Sequence, residues 1–183
     1  MATWIVSNGT ADESDLATIL LQPEFRKATL NMAMAYASLS QAIKPLLGEN
    51  LADLGLVLGS NHGEFGATRD FLKALADTGV PRPLLFQNSL HNATIGFLAM
   101  KFGLTGPCVT VSNGILTSKN ALETAHLLLE QEQCSFCAVT IVDVNVPEAR
   151  VGKSTSLLLA NDVGLTRSVF REPVLLTESA LNV

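Results

Sequence analysis

Aromatic side chains make up only 5% of this 183-residue chain, and charged ones only 16%. With so few rings, the core has to be built from Leu, Val, Ile and Ala. Apolar residues still reach 48%, which excludes an intrinsically disordered chain of low hydrophobicity and high charge. So little charge on a small protein points to surface that a partner covers. Basic residues are the scarcer sign, 12 Lys and Arg against 17 Asp and Glu for a net charge of -5. There is no basic cluster, so nucleic acid is not an expected partner. No run approaches the ~20 consecutive apolar residues of a membrane span. Met1 to Thr10 lacks a basic segment followed by an apolar one, so no signal peptide is expected. Cysteine is sparse and odd in number: Cys108, Cys134 and Cys137. That count fits a reducing cytoplasm better than a disulfide scaffold.

What is present is organised as a single domain spanning residues 1–183, with no repeat, low-complexity tract or linker. Residues 11–26 start acidic, turn apolar and break at Pro23, which predicts a short helix and a loop. Residues 27–47 are rich in Ala, Leu and Met and predict a long buried helix. Leu54 to Leu58 is a compact apolar run ending at Gly59, the pattern of a buried strand. A Gly-bearing loop follows over 60–66, then a helix from Ala67 to Thr78. Pro81-Arg82-Pro83 reads as extended or turn. Asn92 to Phe102 predicts a helix capped by Gly103. Cys108 to Val111 is a strand, and Ser118 to Gln131 a helix with Leu122, Ala125, Leu128 and Leu129 on one face. Residues 136–144 form a β-branched strand. Ser156 to Ala160 and Pro173 to Thr177 predict two more. Helical connections between strands imply an α/β fold with a mixed, mostly parallel sheet covered by helices.

Several catalytic motifs are excluded. Gly152-Lys153-Ser154 imitates the end of a phosphate-binding loop, but the required earlier glycine is Pro147. Neither a dinucleotide-binding glycine fingerprint nor a nucleophile elbow occurs. Cys134-x-x-Cys137 lacks the second ligand pair of a zinc site. It leads into a strand rather than opening a helix that would activate a thiol, so the pair reads as two small buried thiols. No metal or cofactor is expected. His126 lies in a helical stretch among Leu and Glu. His62 follows a strand end, where α/β proteins place their sites. His91 opens a helix, where it either caps and packs or points into a pocket. No Asp or Glu can be assigned to orient either histidine.

Phe86 to Gly114 resembles the ketoacyl synthases of the thiolase superfamily. Asn92, Gly96, Gly103, Leu104, Gly106 and Pro107 fall in register with the segment those proteins carry ahead of their catalytic Cys. The predicted elements agree in order over roughly residues 25–160. More narrowly, Ser89-Leu90-His91-Asn92-Ala93 resembles a signature of chain-length-factor proteins. These accompany ketosynthases in aryl-polyene and related polyketide pathways. The run VDVNVPEA (142–149) resembles the stretch after their central strand.

The resemblance implies a single thiolase-like half-fold, and it also shows departures. Counted from Gly106-Pro107, the nucleophile position falls on Ile115, whose alkyl side chain cannot attack a thioester. Cys108 is at the wrong end of its strand. The family's two catalytic histidines come from a C-terminal half, and this chain has no His after His126. The expectation is a catalytically inactive ketosynthase-like subunit in fatty-acid or polyketide biosynthesis. It would pair with itself or with a full-length ketosynthase, and acyl carrier protein is a further candidate partner. The family's dimer strand maps onto Cys108, Val109, Thr110 and Val111, flanked by the segment Phe86, Gln87, Asn88 and Ser89. Candidate pocket residues are His62, His91, Asn92, Ser112, Asn113 and Gly114. Two alternatives stay open: a self-associating module that binds acyl chains or carrier proteins, and a small acyl-thioester hydrolase or decarboxylase with His62 or His91 as base.

Overall fold

The computed structural model describes residues 2–144, 152–167, 170 and 172–177. Their strands are β1 (Thr3–Ala11), β2 (Gly55–Gly59), β3 (Cys108–Val111), β4 (Phe136–Asp143), β5 (Lys153–Asn161) and β6 (Val174–Leu175). The helices are α1 (Glu13–Ile19), α2 (Leu30–Ala42), α3 (Phe65–Thr78), α4 (Pro83–Asn88), α5 (Ala93–Phe102), α6 (Thr117–Glu130) and α7 (Asp162–Arg167). One sheet orders its strands β3-β2-β4-β5-β1-β6.

The sheet is mixed, as expected, but parallel pairing is confined to one side. β2 runs parallel to β3 and β4, whereas β4–β5, β5–β1 and β1–β6 are antiparallel. The expectation of a mostly parallel sheet is therefore corrected. Its cause is the length of the connection after β4: only nine residues separate Asp143 from Lys153, fewer than a parallel crossover needs, so β5 returns antiparallel. Helices join the parallel strands, α3 to α5 between β2 and β3 and α6 between β3 and β4.

β1 had no counterpart among the expected strands. Its Ser7-Asn8-Gly9 run looks like a turn, yet it sits in register with β5. Gly9 is there because α2 lies directly on it: a Cβ would fall 2.2 Å from the Ser38 carbonyl oxygen. α4 was also unexpected. Pro83 occupies its first turn, where the missing N–H costs nothing. The helix expected over 27–47 is α2, capped by the Thr29 hydroxyl and followed by a 3-10 turn at Lys44–Leu46.

The two faces of the sheet bury separate cores. α2 and α5 cover Leu56, Leu58, Ala138, Val142 and Leu158 on one face. α6 covers Val57, Val139, Cys137 and Leu159 on the other. α2 is buried almost all round, with Met34, Ala35, Leu39 and Ala42 fully inaccessible, as befits a helix with no polar face. The expected cap of α5 is confirmed, Gly103 adopting the left-handed conformation at φ 65°. Among the described residues no helix is long and apolar enough to cross a membrane.

Candidate functional site

The carboxyl ends of β2, β3 and β4 lie side by side, so the loop at 60–64, the turn at 112–116 and Asp143 meet at one end of the sheet. Asp143 organises the loop. Its carboxylate accepts from the Ser60 hydroxyl at 2.7 Å and from the backbone N–H groups of Asn61 and His62 at 2.9 Å each. The His62 ring is more loosely held, with Nδ1 3.7 Å from the same carboxylate and nearly half its side chain exposed. Asp143 is thus the acidic partner that could not be assigned from sequence. It grips the backbone more firmly than the imidazole.

Deeper in the loop, Glu64 is buried. The Thr29 hydroxyl donates to its Oε1 at 2.9 Å, and the Thr94 hydroxyl donates to the same oxygen. Burial pushes the Glu64 carboxyl up from its ordinary value, against the lowering effect of those two hydroxyls. Asn31 of α2 completes the node, donating to the Gly63 carbonyl and accepting from the Val144 N–H at 2.8 Å. His91 packs on Gly63: a Cβ there would fall 2.4 Å from the His91 Nδ1, and the backbone φ is 52°. Only glycine meets both demands. His91 therefore packs rather than caps. Asn92 precedes α5 without a side-chain cap bond and lines a different feature, an apolar groove of about 570 Å³ with Leu90, Phe97 and Met100.

The third strand end carries Ser112, Asn113 and Gly114. Gly114 (φ 55°) opens a 3-10 turn, Gly114–Leu116, that runs into α6. Thr117 pins this turn to the loop, accepting from the Asn113 N–H at 2.7 Å and donating to the Asn61 side-chain oxygen. The Ser112 hydroxyl reaches the Asn61 carbonyl at 3.5 Å, a weak contact. Ile115 stands on the apex, 99% exposed. The loop at 60–64 thus brings together His62, His91, Ser112 and Asn113, leaving Asn92 apart. Sequence reasoning missed Asp143, Asn61, Thr117, Glu64, Thr29, Thr94 and Asn31. The one available signal was an acidic residue closing an otherwise apolar strand, at Asp143.

The model of the beta-ketoacyl synthase N-terminal domain family matches residues 32–157. The chain belongs to this family. Three solved structures share the fold. One is a ketosynthase in complex with its chain length factor from Xenorhabdus doucetiae: TM-score 0.68, 20% identity, 88% of this chain and 79% of that one. Another is the ishigamide ketosynthase/chain length factor: TM-score 0.73, 14% identity, 89% of this chain and 63% of that one. The third is a type II polyketide synthase acyl-carrier protein in complex with its ketosynthase bound to the hexaketide: TM-score 0.75, 12% identity, 91% of this chain and 64% of that one. This chain spans less than two thirds of the latter two. No curated protein sequence matches it.

Ile115, which the resemblance aligns with the family's nucleophile, presents its alkyl side chain in full view of solvent. Cys108, the sole thiol on β3, lies at the opposite end of that strand, and desolvation pushes it above its ordinary value. Among the described residues no three His, Cys, Asp or Glu side chains converge as a metal would need. Among the described residues β3 is an edge strand. The Pro107 and Val111 carbonyls accept from Leu56 and Ser60 of β2 and its loop, so the alternate residues Cys108 and Thr110 turn their backbone groups to the open edge. The flanking segment is helical: Phe86, Gln87 and Asn88 belong to α4. Phe86 is half exposed and packs on Phe71, Asn88 donates to the Lys27 carbonyl at 3.1 Å, and Thr68 holds the Ser89 carbonyl at 3.0 Å. On the other face, Leu122, Val139, Ile141 and Leu157 line an open apolar groove of about 270 Å³ between α6 and the sheet. The VDVNVPEA resemblance falls partly on residues 145–149, and the excluded motif position Pro147 with it, outside the described residues.

Proposed function

We propose that this protein is a catalytically inactive, chain-length-factor-like subunit that associates with a ketosynthase in fatty-acid or polyketide biosynthesis. The observation that carries this reading is Ile115, an alkyl side chain at the position the resemblance gives to the family's nucleophile, fully exposed on its turn. Burying such a side chain gains about 1.5–3 kcal/mol, which suits a contact surface and no chemistry. The likeness to a ketosynthase–chain length factor complex supports the choice of partner. The Ser89–Ala93 signature supports an aryl-polyene-type pathway as the finer assignment. Three free thiols fit a cytoplasmic setting.

The docking surface combines the open edge of β3 with the half-exposed Phe86 of α4. His62, His91, Ser112, Asn113 and Gly114 then shape the end of the acyl cavity without acting on the acyl group, and Asn92 contributes through the neighbouring groove. Thr110→Pro tests the edge directly. Its N–H points away from β2, so proline keeps the internal ladder while preventing strand addition from outside. The wild-type chain is expected to co-purify with a ketosynthase as a heterodimer, and Thr110→Pro to lose the partner while staying folded. A chain that stays monomeric beside every ketosynthase offered, or a homodimer that excludes them, overturns the proposal. The latter result would favour a self-associating binding module. Turnover of malonyl- or acyl-carrier protein that His62→Ala abolishes would favour an enzyme.

A further inference from the structure

Cys134 and Cys137 take no part in the site described above, yet the fold presses them together. Cys137 lies on β4 opposite Gly55 of β2, and Cys134 closes the turn between α6 and β4. Both sulfurs crowd the same point above the Gly55 Cα: a Cβ there would sit 2.7 Å from the Cys134 Sγ and 3.2 Å from the Cys137 Sγ. Both thiols are buried and free. Only a glycine leaves room for this pair.

The sequence argued against redox chemistry because the pair does not open a helix. The tertiary contact supplies another source of activation. The neighbouring Cys137 side chain, with help from the Gly55 backbone and against the opposing effect of burial, draws the Cys134 thiol below its ordinary value. Cys137 is held well above, first by the neighbouring Cys134 and then by burial. A thiol pair split in this way has one sulfur readier to attack and one that stays protonated until needed.

We propose that Cys134 and Cys137 form a dithiol site, oxidised reversibly to an intramolecular disulfide by a small hydroperoxide and bridged by trivalent arsenicals. The Cys134 thiolate attacks the distal peroxide oxygen, the O–O bond breaks, and a sulfenic acid forms with release of the alcohol or water. The Cys137 sulfur then attacks the Cys134 sulfur, its proton leaving with the displaced hydroxide as water. The thiols supply two electrons and the peroxide accepts them. Reduction by a dithiol restores both S–H groups.

The test uses the whole chain carrying Cys108→Ser, exposed to hydrogen peroxide in the folded state. Peptide mapping should show the Cys134–Cys137 peptide lighter by about 2 Da, the loss of two hydrogens, and dithiothreitol should reverse it. Phenylarsine oxide should bind one equivalent and protect both thiols from later alkylation. Cys137→Ser should abolish the mass loss and leave Cys134 trapped as a sulfenic acid or mixed disulfide. Gly55→Ala should slow disulfide formation at least tenfold, its folded state verified by far-UV circular dichroism. Oxidation only of unfolded protein, or sulfonic acids with no intermediate disulfide, overturns the proposal. So does equal oxidation in the wild type and a folded Gly55→Ala variant.

Discussion

Removing the Asp143 carboxylate tests whether the end of the sheet is a scaffold or a catalytic His–Asp pair. In Asp143→Ala three donors lose their acceptor at once: the Ser60 hydroxyl and the N–H groups of Asn61 and His62. Ser60 is buried, and its oxygen also accepts from the Gly63 N–H at 2.8 Å, so its own proton is stranded away from water. Hydrogen bonds to a charged acceptor contribute about 1.5–3 kcal/mol each, but the carboxylate and the two N–H groups are reached by solvent. Water replaces part of what is lost, and the expected cost is about 2–4 kcal/mol. For a domain of this size that lowers the melting temperature by roughly 5–15 °C. Asp143→Asn keeps the shape but turns an amide N–H₂ toward backbone donors, so it should fall in between. His62→Ala should cost less than about 0.5 kcal/mol, because its ring meets Asp143 only in a half-exposed contact at 3.7 Å. Urea titration of the three variants checks this order. If Asp143→Ala stays within about 0.5 kcal/mol of wild type, or His62→Ala costs as much, the account of Asp143 as a backbone clamp is wrong.

Ile115→Ser should leave the stability of the free chain within about 0.5 kcal/mol, since the side chain touches little, yet weaken ketosynthase binding about tenfold, as titration calorimetry would show. Gly9→Ala should destabilise by about 1–3 kcal/mol, because its Cβ meets the α2 backbone rather than a yielding side chain; chemical denaturation measures it. Glu64 has a carboxyl raised from the ordinary 4.5, so the folded state holds its proton more tightly than the unfolded one. Its contribution is fully present below pH 4.5 and is lost as pH rises through the raised value. Glu64→Gln, which can still accept from Thr29 and Thr94, should flatten that segment of the stability–pH profile, and an unchanged slope would refute the assignment.

Local pattern was enough wherever an element made its own case. The apolar run at β2, the β-branched run at β4 and the Gly103 cap after α5 each carry their cause in adjacent residues, and the structure places them within a residue or two of expectation. β1 was illegible because Ser7, Asn8 and Gly9 have turn chemistry in isolation, and their strand geometry comes from pairing with β5, some 150 residues away. The sheet's antiparallel half was likewise invisible, since direction is set by how the chain returns. At the site, His62 and the Ser112–Gly114 turn were identifiable from their place after strand ends. Asp143, Glu64 and Asn31 were not, because each acts on a loop far away in sequence.

The sequence by itself determined the family and the α/β class, and its short gapless register sets Ile115, an alkyl residue, where the resemblance expects the nucleophile. Tertiary structure alone decided which donors Asp143 holds, that β3 is an open edge, and that Gly55 leaves room for two thiols in contact. Those are properties of groups brought together from separate strands, and only the folded backbone sets the distances between them.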